Sequence, residues 1–587
     1  MSIYTSRDLD IKNPVRASRS SLSKVSDYKQ LYNDHKNEWH NLWDKADYVI
    51  EGDRFAQKAI RLHVYHLLVS ASIHNMDIDA GMTARGLHGE AYRGHVFWDE
   101  LFVFPFYDLH FPEITKALLM YRYRRLDAAR KYAKKNGYEG AMFPWQTADG
   151  GEEETQIVHY NPISDKWGPD LSRHQRHVSI AIAYNVWVYY YCTNDIEFLY
   201  KYGAEIMIEI TRFWASIARY NKDDDRYHIH GVMGPDEFHE KYHDAKQPGL
   251  RDNAYTNIMA NWLMHKTVEI VEHIPEDALK KIAKKIRFKY IEVEKWKNVI
   301  SNMPENYFSE KTMAKISKPV GVAFIEIEKW KDIVRKMYVP INKDGIISQF
   351  DGYTDLEELD WAFYREKYKD IHRLDRILKA EEDNPDRYKA AKQADVLMLF
   401  YTLSPGQVRH VLDIMGYDTG DALEFMKKNY EYYVKRTSHG STLSHVVHSA
   451  ILKYSHTHKK EMWDWFMSAL SSDINDIQGG TTAEGIHCGV MGGTIDILAK
   501  SFSGMSIFKD YIKLEPELPE HWYCLAYKIV FKGIWISFRI EPSVITIKHT
   551  GGTDERLRVQ VGKNSFFIKK LESVKIPYNN GAIILSK

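Results

Sequence analysis

Residues 196–220 read IEFLYKYGAEIMIEITRFWASIARY, and apolar side chains return in it at three- and four-residue spacing (Ile206, Ile210, Phe213, Trp214, Ile217). That period predicts an amphipathic helix. The same period runs through KAIRLHVYHLLVSASIHNM (58–76), KALLMYRYRRLDAARKYAKKNG (116–137), VSIAIAYNVWVYYYC (178–192) and TNIMANWLMHKTVEIVEHI (256–274). Residues 46–510 are therefore expected to be mainly helical. A Lys/Arg-rich turn followed by Asn136-Gly137 supplies a stop signal for the second of these runs.

Outward from this block the pattern changes at both ends. Residues 1–45 are polar and mixed, and read as an N-terminal arm or linker leading to the first long helix. In WYCLAYKIVFKGIWISFRIEPSVITIKHT (522–550) and RLRVQVGKNSFFIKKLESVKIPY (556–578) apolar and polar residues alternate, with turns at Gly551-Gly552 and Lys563-Asn564. Residues 511–587 thus read as a small C-terminal β-sandwich domain. One internal repeat is visible, YIEVEKWKNVI (290–300) against FIEIEKWKDIV (324–334). A solenoid needs more than two copies, so the pair is expected to be a local duplication packed at the periphery.

Composition removes several function classes. Lys+Arg and Asp+Glu are 80 each, a formal net charge of zero. No long-range field is left to attract DNA, RNA or anionic lipid. Three cysteines (Cys192, Cys488, Cys524) are too few and too scattered for a disulfide framework or a zinc site. The first residues lack the apolar core of a signal peptide, and no stretch is apolar enough over a bilayer's width. A cytoplasmic, soluble protein without nucleic-acid or membrane partners is expected. Without HExxH, paired CxxC or an Asp-rich loop, no metal or cofactor is expected either.

Between the helical runs lie long loops: ARGLHGEAYRGHVFWDE (84–100), GAMFPWQTADGGEEE (140–154), VMGPDEFHEKYHD (232–244), RTSHGSTLSH (436–445) and DIQGGTTAEGIH (476–487). Plain bundles connect by short turns, so loops of this make-up suggest an active-site rim on a helical scaffold. In Gly234-Pro235-Asp236-Glu237-Phe238-His239 the Gly-Pro forces a turn, and only one of the adjacent carboxylates can point into a cleft. A carboxylic acid kept protonated by a partly apolar pocket can donate to a leaving oxygen. The plain alternative is that the pair caps the next helix. Ser438-His439-Gly440-Ser441-Thr442 and Gly479-Gly480-Thr481-Thr482-Ala483-Glu484-Gly485-Ile486-His487 each place hydroxyls, Gly and His before an apolar run. Such a segment is an anion cradle or an ordinary Ser/Thr cap. Trp98-Asp99 and Lys392-Gln393 offer a stacking ring and several hydrogen-bonding groups for a sugar, and each could equally be structural.

Seven segments in order, ARGLHGEAYRGHVFWDELFVFPF, GAMFPWQ, GVMGPDEFHE, DNAYTN, KQADVLM, SHGSTLS and GGTTAEGIH, resemble glycoside hydrolase family 65. The resemblance covers nearly the whole chain, and its wording is nearest to trehalose-phosphorylase-like members. It implies an (α/α)6 barrel followed by a C-terminal β-sandwich. It implies Glu237 as general acid, with Trp98, Asp99, Trp145, Lys392 and Gln393 holding the non-reducing glucose. Ser441, Thr442 and His487, with His439 and Gly480 nearby, would bind inorganic phosphate, the co-substrate. Phosphate would attack C1 from the face opposite Glu237, inverting its configuration and giving β-glucose 1-phosphate. In an inverting hydrolase a second carboxylate activates water from that face, and Glu484 is the candidate for that role. The family's usual N-terminal β-sandwich is not in this sequence, which opens in the linker that would follow it. That departure leaves room for a homodimer, for a separate chain carrying the missing domain, and for a sugar-binding subunit or split enzyme. Trehalose is the first choice of substrate, with kojibiose, nigerose, maltose and glucosyl-polyols open.

Overall fold

A computed structural model of the chain describes residues 2–5, 8, 11–25, 27–87, 89, 91–285, 324–455, 457–477, 481–553, 555–579 and 582–583. Helices α1 (Pro14–Ser23) and α2 (Tyr28–Ala46) lead into a short strand, β1 (Tyr48–Glu51). Then follow α3 (Arg54–Ser70), α4 (Glu100–His110), α5 (Pro112–Arg124), α6 (Leu126–Lys135), α7 (Val178–Thr193), α8 (Ala204–Ile217), α9 (Ala254–His273) and α10 (Phe324–Lys336). The later helices are α11 (Met398–Thr402), α12 (Pro405–Ile414), α13 (Ala422–Tyr433), α14 (Thr442–Ile451), α15 (Lys459–Leu470) and α16 (Cys488–Ile497).

Contacts among α4, α7, α9, α11, α14 and α16 close a ring, each helix touching the next and α16 returning to α4. A second layer packs on the outside: α5 on α4 and α7, α8 on α7 and α9, α12 on α9 and α11, α15 on α14 and α16, and α3 on α16. This is an (α/α)6 barrel. Its sequence cause is visible in the inner helices, which are apolar all round rather than on one stripe. Every residue of α4 is buried, Glu100, Asp108 and His110 included. The 196–220 run becomes a short helical turn, a π-helical turn at Leu199–Gly203 and then α8, which ends at Ile217.

Helix structure ends at Phe502, and strands begin at β2 (Ser506–Ile507) and β3 (Ile512–Leu514). These are followed by β4 (Cys524–Phe531), β5 (Ile534–Glu541), β6 (Val544–Gly552), β7 (Leu557–Val561), β8 (Asn564–Ile568), β9 (Ser573–Asn579) and β10 (Ala582–Ile583). These strands, with β1, form two sheets, in the orders β1-β4-β5-β6-β9-β10 and β8-β7-β3-β2, while among the described residues three two-stranded sheets lie in the loops of the helical region. Strand β5 shows the expected alternation in full, with Ile534, Ile536, Phe538 and Ile540 buried and the residues between them half-buried.

Two expectations need correction. The polar arm carries helices at Pro14–Ser23 and Tyr28–Ala46, the second because Trp39, Leu42, Trp43 and Ala46 recur at helical spacing and pack on the core. Just beyond it, β1 adds an edge to the C-terminal sheet, pairing Tyr48 with Tyr527 and Glu51 with Cys524. The second copy of the repeat is not peripheral either. It forms α10, whose Trp330 and Ile333 are fully buried beside α9. The first copy, 290–300, lies outside the described residues.

Candidate active site

The site is built where three irregular segments stack over one end of the barrel. The first is Gly234–His239. A Cβ at Gly234 would run into the Asp395 carboxylate and the Asn253 amide, so only glycine lets the chain pass. Asp236 is fully buried. Its Oδ2 accepts from His239 Nδ1 at 2.6 Å, and His239 Nε2 donates to the Tyr388 carbonyl at 3.0 Å. Both ring nitrogens therefore donate, and the ring is an imidazolium. Burial opposes that charge, but Asp236 outweighs it and raises the His239 pKa. Behind this pair, Asp395 Oδ2 accepts from the Asp236 backbone N–H at 3.3 Å and from Asn253 Nδ2 at 3.1 Å. Burial and the neighbouring Asp236 charge push the Asp395 pKa well above the carboxylate range. Asn253 also caps α9 by accepting from the Thr256 N–H at 2.9 Å, so helix and loop share one anchor.

On this foundation Glu237 sits with φ = +64°, the left-handed region that a non-glycine residue enters only when its surroundings fix it. The strain lets Asp236 point inward while Glu237 points the other way. Its Oε2 meets Lys392 Nζ at 2.5 Å, with the two side chains 24% and 19% exposed. Lys392 belongs to the second segment. Gln393 Nε2 donates to the Pro235 carbonyl at 2.7 Å, and the Lys392 N–H to the Asp236 carbonyl at 3.2 Å. The third segment, 436–442, lies along the other side. The Ser438 N–H donates to the Ala391 carbonyl and the Gly440 N–H to the Lys392 carbonyl, both at 2.8 Å. A Cβ on Gly440 would strike the His372 carbonyl.

Two inner helices then begin side by side. Ser441 stands at the N-cap of α14 and His487 at that of α16, and neither side chain caps its own helix. His487 Nε2 lies 3.0 Å from Asp99 Oδ1 and Nδ1 lies 3.0 Å from Thr442 Oγ1. A neutral ring that donates to the carboxylate accepts the threonine hydroxyl at its other nitrogen. The His487 N–H is itself held by Asp473 Oδ2 at 3.0 Å. Adjacent helix N-termini without side-chain caps, with hydroxyls and an imidazole between them, form a setting for an anion; at α16 the Cys488 N–H already donates to the Ala84 carbonyl at 3.1 Å.

The floor is aromatic. Trp98 and Trp145 are buried, with ring centroids 6.1 Å apart, and His177 packs against both at 4.8 and 5.2 Å. Their loops are tied by a bridge between Val96 and Thr147.

The structure thus joins Trp98 to Trp145, Asp99 through His487 to Thr442, and Glu237 to Lys392, with Gln393 on the Pro235 carbonyl of the acid loop. It places His439 differently from its neighbours. That residue takes φ = +56°, and its ring lies tilted against Trp465 at 4.5 Å and edge-on to His448 at 4.8 Å, with Nδ1 3.0 Å from Ser444 Oγ. Glu484 is exposed on the 3-10 turn Thr482–Glu484. Gly480 lies outside the described residues. Asp395, Asn253 and Asp473 had not been singled out. Asp395 stands within the quoted KQADV, but nothing local says that it faces Asp236, 159 positions away. Arg251, which follows the acid loop in sequence, pairs with Asp351.

The family described as "Glycosyl hydrolase family 65 central catalytic domain" matches residues 61–315 and 305–496, and "Glycosyl hydrolase family 65, C-terminal domain" matches 505–568. An "uncharacterized glycosyl hydrolase" of Mycobacterium tuberculosis is 39% identical over 558 residues, covering 95% of this chain and 39% of the relative. The trehalose 6-phosphate phosphorylase of Lactococcus lactis is 39% identical over 545 residues, covering 92% of this chain and 64% of the relative. The chain therefore spans less than two thirds of either protein. A solved structure titled as a putative kojibiose phosphorylase from human microbiome shares the fold, with TM-score 0.73, 24% identity, and coverage of 96% of this chain and 72% of that one.

Proposed function

The chain belongs to glycosyl hydrolase family 65, and on that premise we propose that it catalyses inverting phosphorolysis of an α-glucosyl disaccharide, with Glu237 as general acid and inorganic phosphate as nucleophile. One observation carries the reading. The partly exposed carboxylate of Glu237 is held by Lys392, whose carbonyl holds Gly440 just ahead of α14, and the N-termini of α14 and α16 are linked through Thr442, His487 and Asp99.

Glucose rests on the Trp98–Trp145 floor, where a pyranose face can stack and Asp99 can accept from its hydroxyls. Lys392 now sits on Glu237. Sugar hydroxyls compete for that ammonium and draw it away, and the bound disaccharide shields Glu237 from water. Glu237 protonates the interglycosidic oxygen as positive charge builds at C1. Phosphate held by Ser441, Thr442 and His487 attacks C1 directly. It is already an anion, so no carboxylate base is required. The products are β-glucose 1-phosphate and the free aglycone.

Trehalose-type glucosides are the first choice, and the names of relatives extend the choice to phosphorylated trehalose and to kojibiose. The test follows glucose 1-phosphate by NMR with and without inorganic phosphate, over a panel of α-linked disaccharides that includes trehalose 6-phosphate. β-Glucose 1-phosphate formed only with phosphate is the expected outcome. Equal glucose release in its absence would replace this reading with an inverting hydrolase using Glu484 as base.

A further inference from the structure

Residues 372–379, most of which belong to the short helix Leu374–Ala380, take no part in the steps above, yet they border the acid. The His372 carbonyl lies against Gly440, whose other close neighbour is the Lys392 side chain. The next residue, Arg373, forks onto Asp375 through Nε–Oδ1 at 3.1 Å and Nη2–Oδ2 at 3.0 Å. Its side chain is nevertheless 41% exposed. Glu237 and Tyr92 are close enough to favour its charge electrostatically.

Three residues on, Arg376 has its backbone carbonyl fixed by Asn161 Nδ2 at 2.9 Å. Its Nε is buried without a hydrogen-bond partner. Burial and the neighbouring Arg373 both work against its charge, while Asp375 and Glu484 favour it. Lys392 is spent on Glu237 and Arg373 on Asp375. Arg376 is the guanidinium of this group whose hydrogen-bonding capacity is unspent among the described residues.

We propose that Arg373 and Arg376 bind a phosphate ester carried by the aglycone, so that the preferred substrate is a glucoside of a phosphorylated sugar. This rests on the reading of Glu237 as the donor to the interglycosidic oxygen. Exposure orders the cleft: Trp98, Trp145 and Asp99 lie on its floor at 3%, 4% and 6%. Glu237 and Lys392 stand higher, and Arg373 higher still. Glucose on the floor and the scissile oxygen at Glu237 leave the aglycone beside Arg373. A phosphate monoester at the far end of a hexose offers a dianion to the Arg376 guanidinium and to the Arg373 Nη1 edge that Asp375 leaves over, a planar donor geometry in which arginine outperforms lysine.

Free phosphate shares this chemistry, and the experiment separates the two sources. In the full chain, calorimetry measures binding of glucose 6-phosphate and of glucose. Kinetics give kcat/KM for trehalose 6-phosphate and for trehalose, together with KM for inorganic phosphate. These are compared between the unaltered protein and Arg376→Gln, which removes no intramolecular hydrogen bond. Arg373→Lys serves as a second variant that keeps a charge beside Asp375. The expected result is tighter binding of glucose 6-phosphate than of glucose. In Arg376→Gln the kcat/KM ratio of phosphorylated to plain substrate should fall about tenfold or more, since charge-assisted hydrogen bonds are lost. Equal binding of the two sugars, or a raised KM for inorganic phosphate with an unchanged ratio, would overturn the proposal. If trehalose 6-phosphate is cleaved without phosphate, the phosphorylase reading fails and the binding comparison still decides the role of the arginines.

Discussion

At Glu237 the proposed function reduces to one proton, and the backbone is bent to deliver it. Glu237→Gln keeps the size and the left-handed turn but cannot protonate a leaving oxygen. Turnover is expected to fall by roughly 10²–10⁴-fold, with an unchanged circular dichroism spectrum. A rate near that of the unaltered protein would remove Glu237 from the acid role. The residues beneath it make a different claim. His239 neutralises the fully buried Asp236, so His239→Ala leaves a buried charge without its partner and should cost about 3–5 kcal/mol. Asp395 holds its proton, so Asp395→Asn should cost far less, and urea midpoints of the two variants compare them directly. Equal losses would mean that Asp395 is ionised and does a second anion's work. The sequence displayed Glu237 openly, in a Gly-Pro turn with paired carboxylates. It did not display the Asp236–His239–Asp395 foundation, because a contact across 159 positions leaves no local period or spacing to read.

Helix α16 looks poorly chosen for a helix, since CGVMGGTIDI contains three glycines, each worth about 1 kcal/mol against alanine in a helix interior. Packing explains them. A Cβ on Gly492 would press on the Phe102 carbonyl and the Val103 Cα of α4, one on Gly493 would meet Val446 of α14, and one on Gly489 would reach Leu443 and Asp99. The two inner neighbours approach α16 almost to backbone contact. That approach brings His487, at the head of α16, to Asp99, just before α4, and to Thr442 at the start of α14. Gly492→Ala is therefore expected to destabilise by about 1–3 kcal/mol through overpacking, despite the better helix propensity of alanine. Because the shift runs along the α4–α16 contact, the apparent affinity for phosphate should weaken as well. Gly493→Ala faces a side chain that can rotate, and should be milder. A stabilised Gly492→Ala protein would show that the helices are free to separate. The apolar run itself was legible in the sequence, but which neighbour each glycine admits was not.

Over the whole molecule, the helical and strand-bearing parts were legible from period alone, because 3.6- and 2-residue repeats survive in long runs. Their junction was not. Strand β1 joins a sheet whose other strands lie more than 450 residues later, with Tyr48 stacked on Tyr527 at 5.1 Å and Lys528 paired to Asp44 at 2.6 Å. A four-residue strand after a polar helix carries too little pattern to announce such a pairing. The same large core buries many titratable groups, and they set a pH optimum for stability. Burial lowers the pKa of His63, His177 and His445 to about 3, and of His110 and His448 to about 4. Their folded values lie below the ordinary 6.5, so below that pH the unfolded chain binds more protons and stability is lost as pH falls. Burial raises Glu100 to about 7 and Asp108 to about 8, and Asp395 rises too. Here the folded chain holds the extra proton, so stability is lost as pH climbs from about 4 toward 8. His174, lowered to about 4, and His439, lowered well below 6.5, act with these histidines, and Glu240, raised to about 7, acts with these carboxyl groups. Between about pH 4 and 6.5 the strongly shifted histidines outnumber the strongly shifted carboxyl groups, and stability rises with pH. Above 6.5 the histidine contribution is exhausted and the carboxyl groups alone act, joined by His239, whose raised pKa works in the same direction. The urea midpoint, followed from pH 5 to 8.5 at constant ionic strength, should pass through a maximum near about pH 6.5. A midpoint still rising at pH 8 would mean that Glu100 and Asp108 ionise in place, Glu100 with Arg122 as its counter-charge at 2.9 Å.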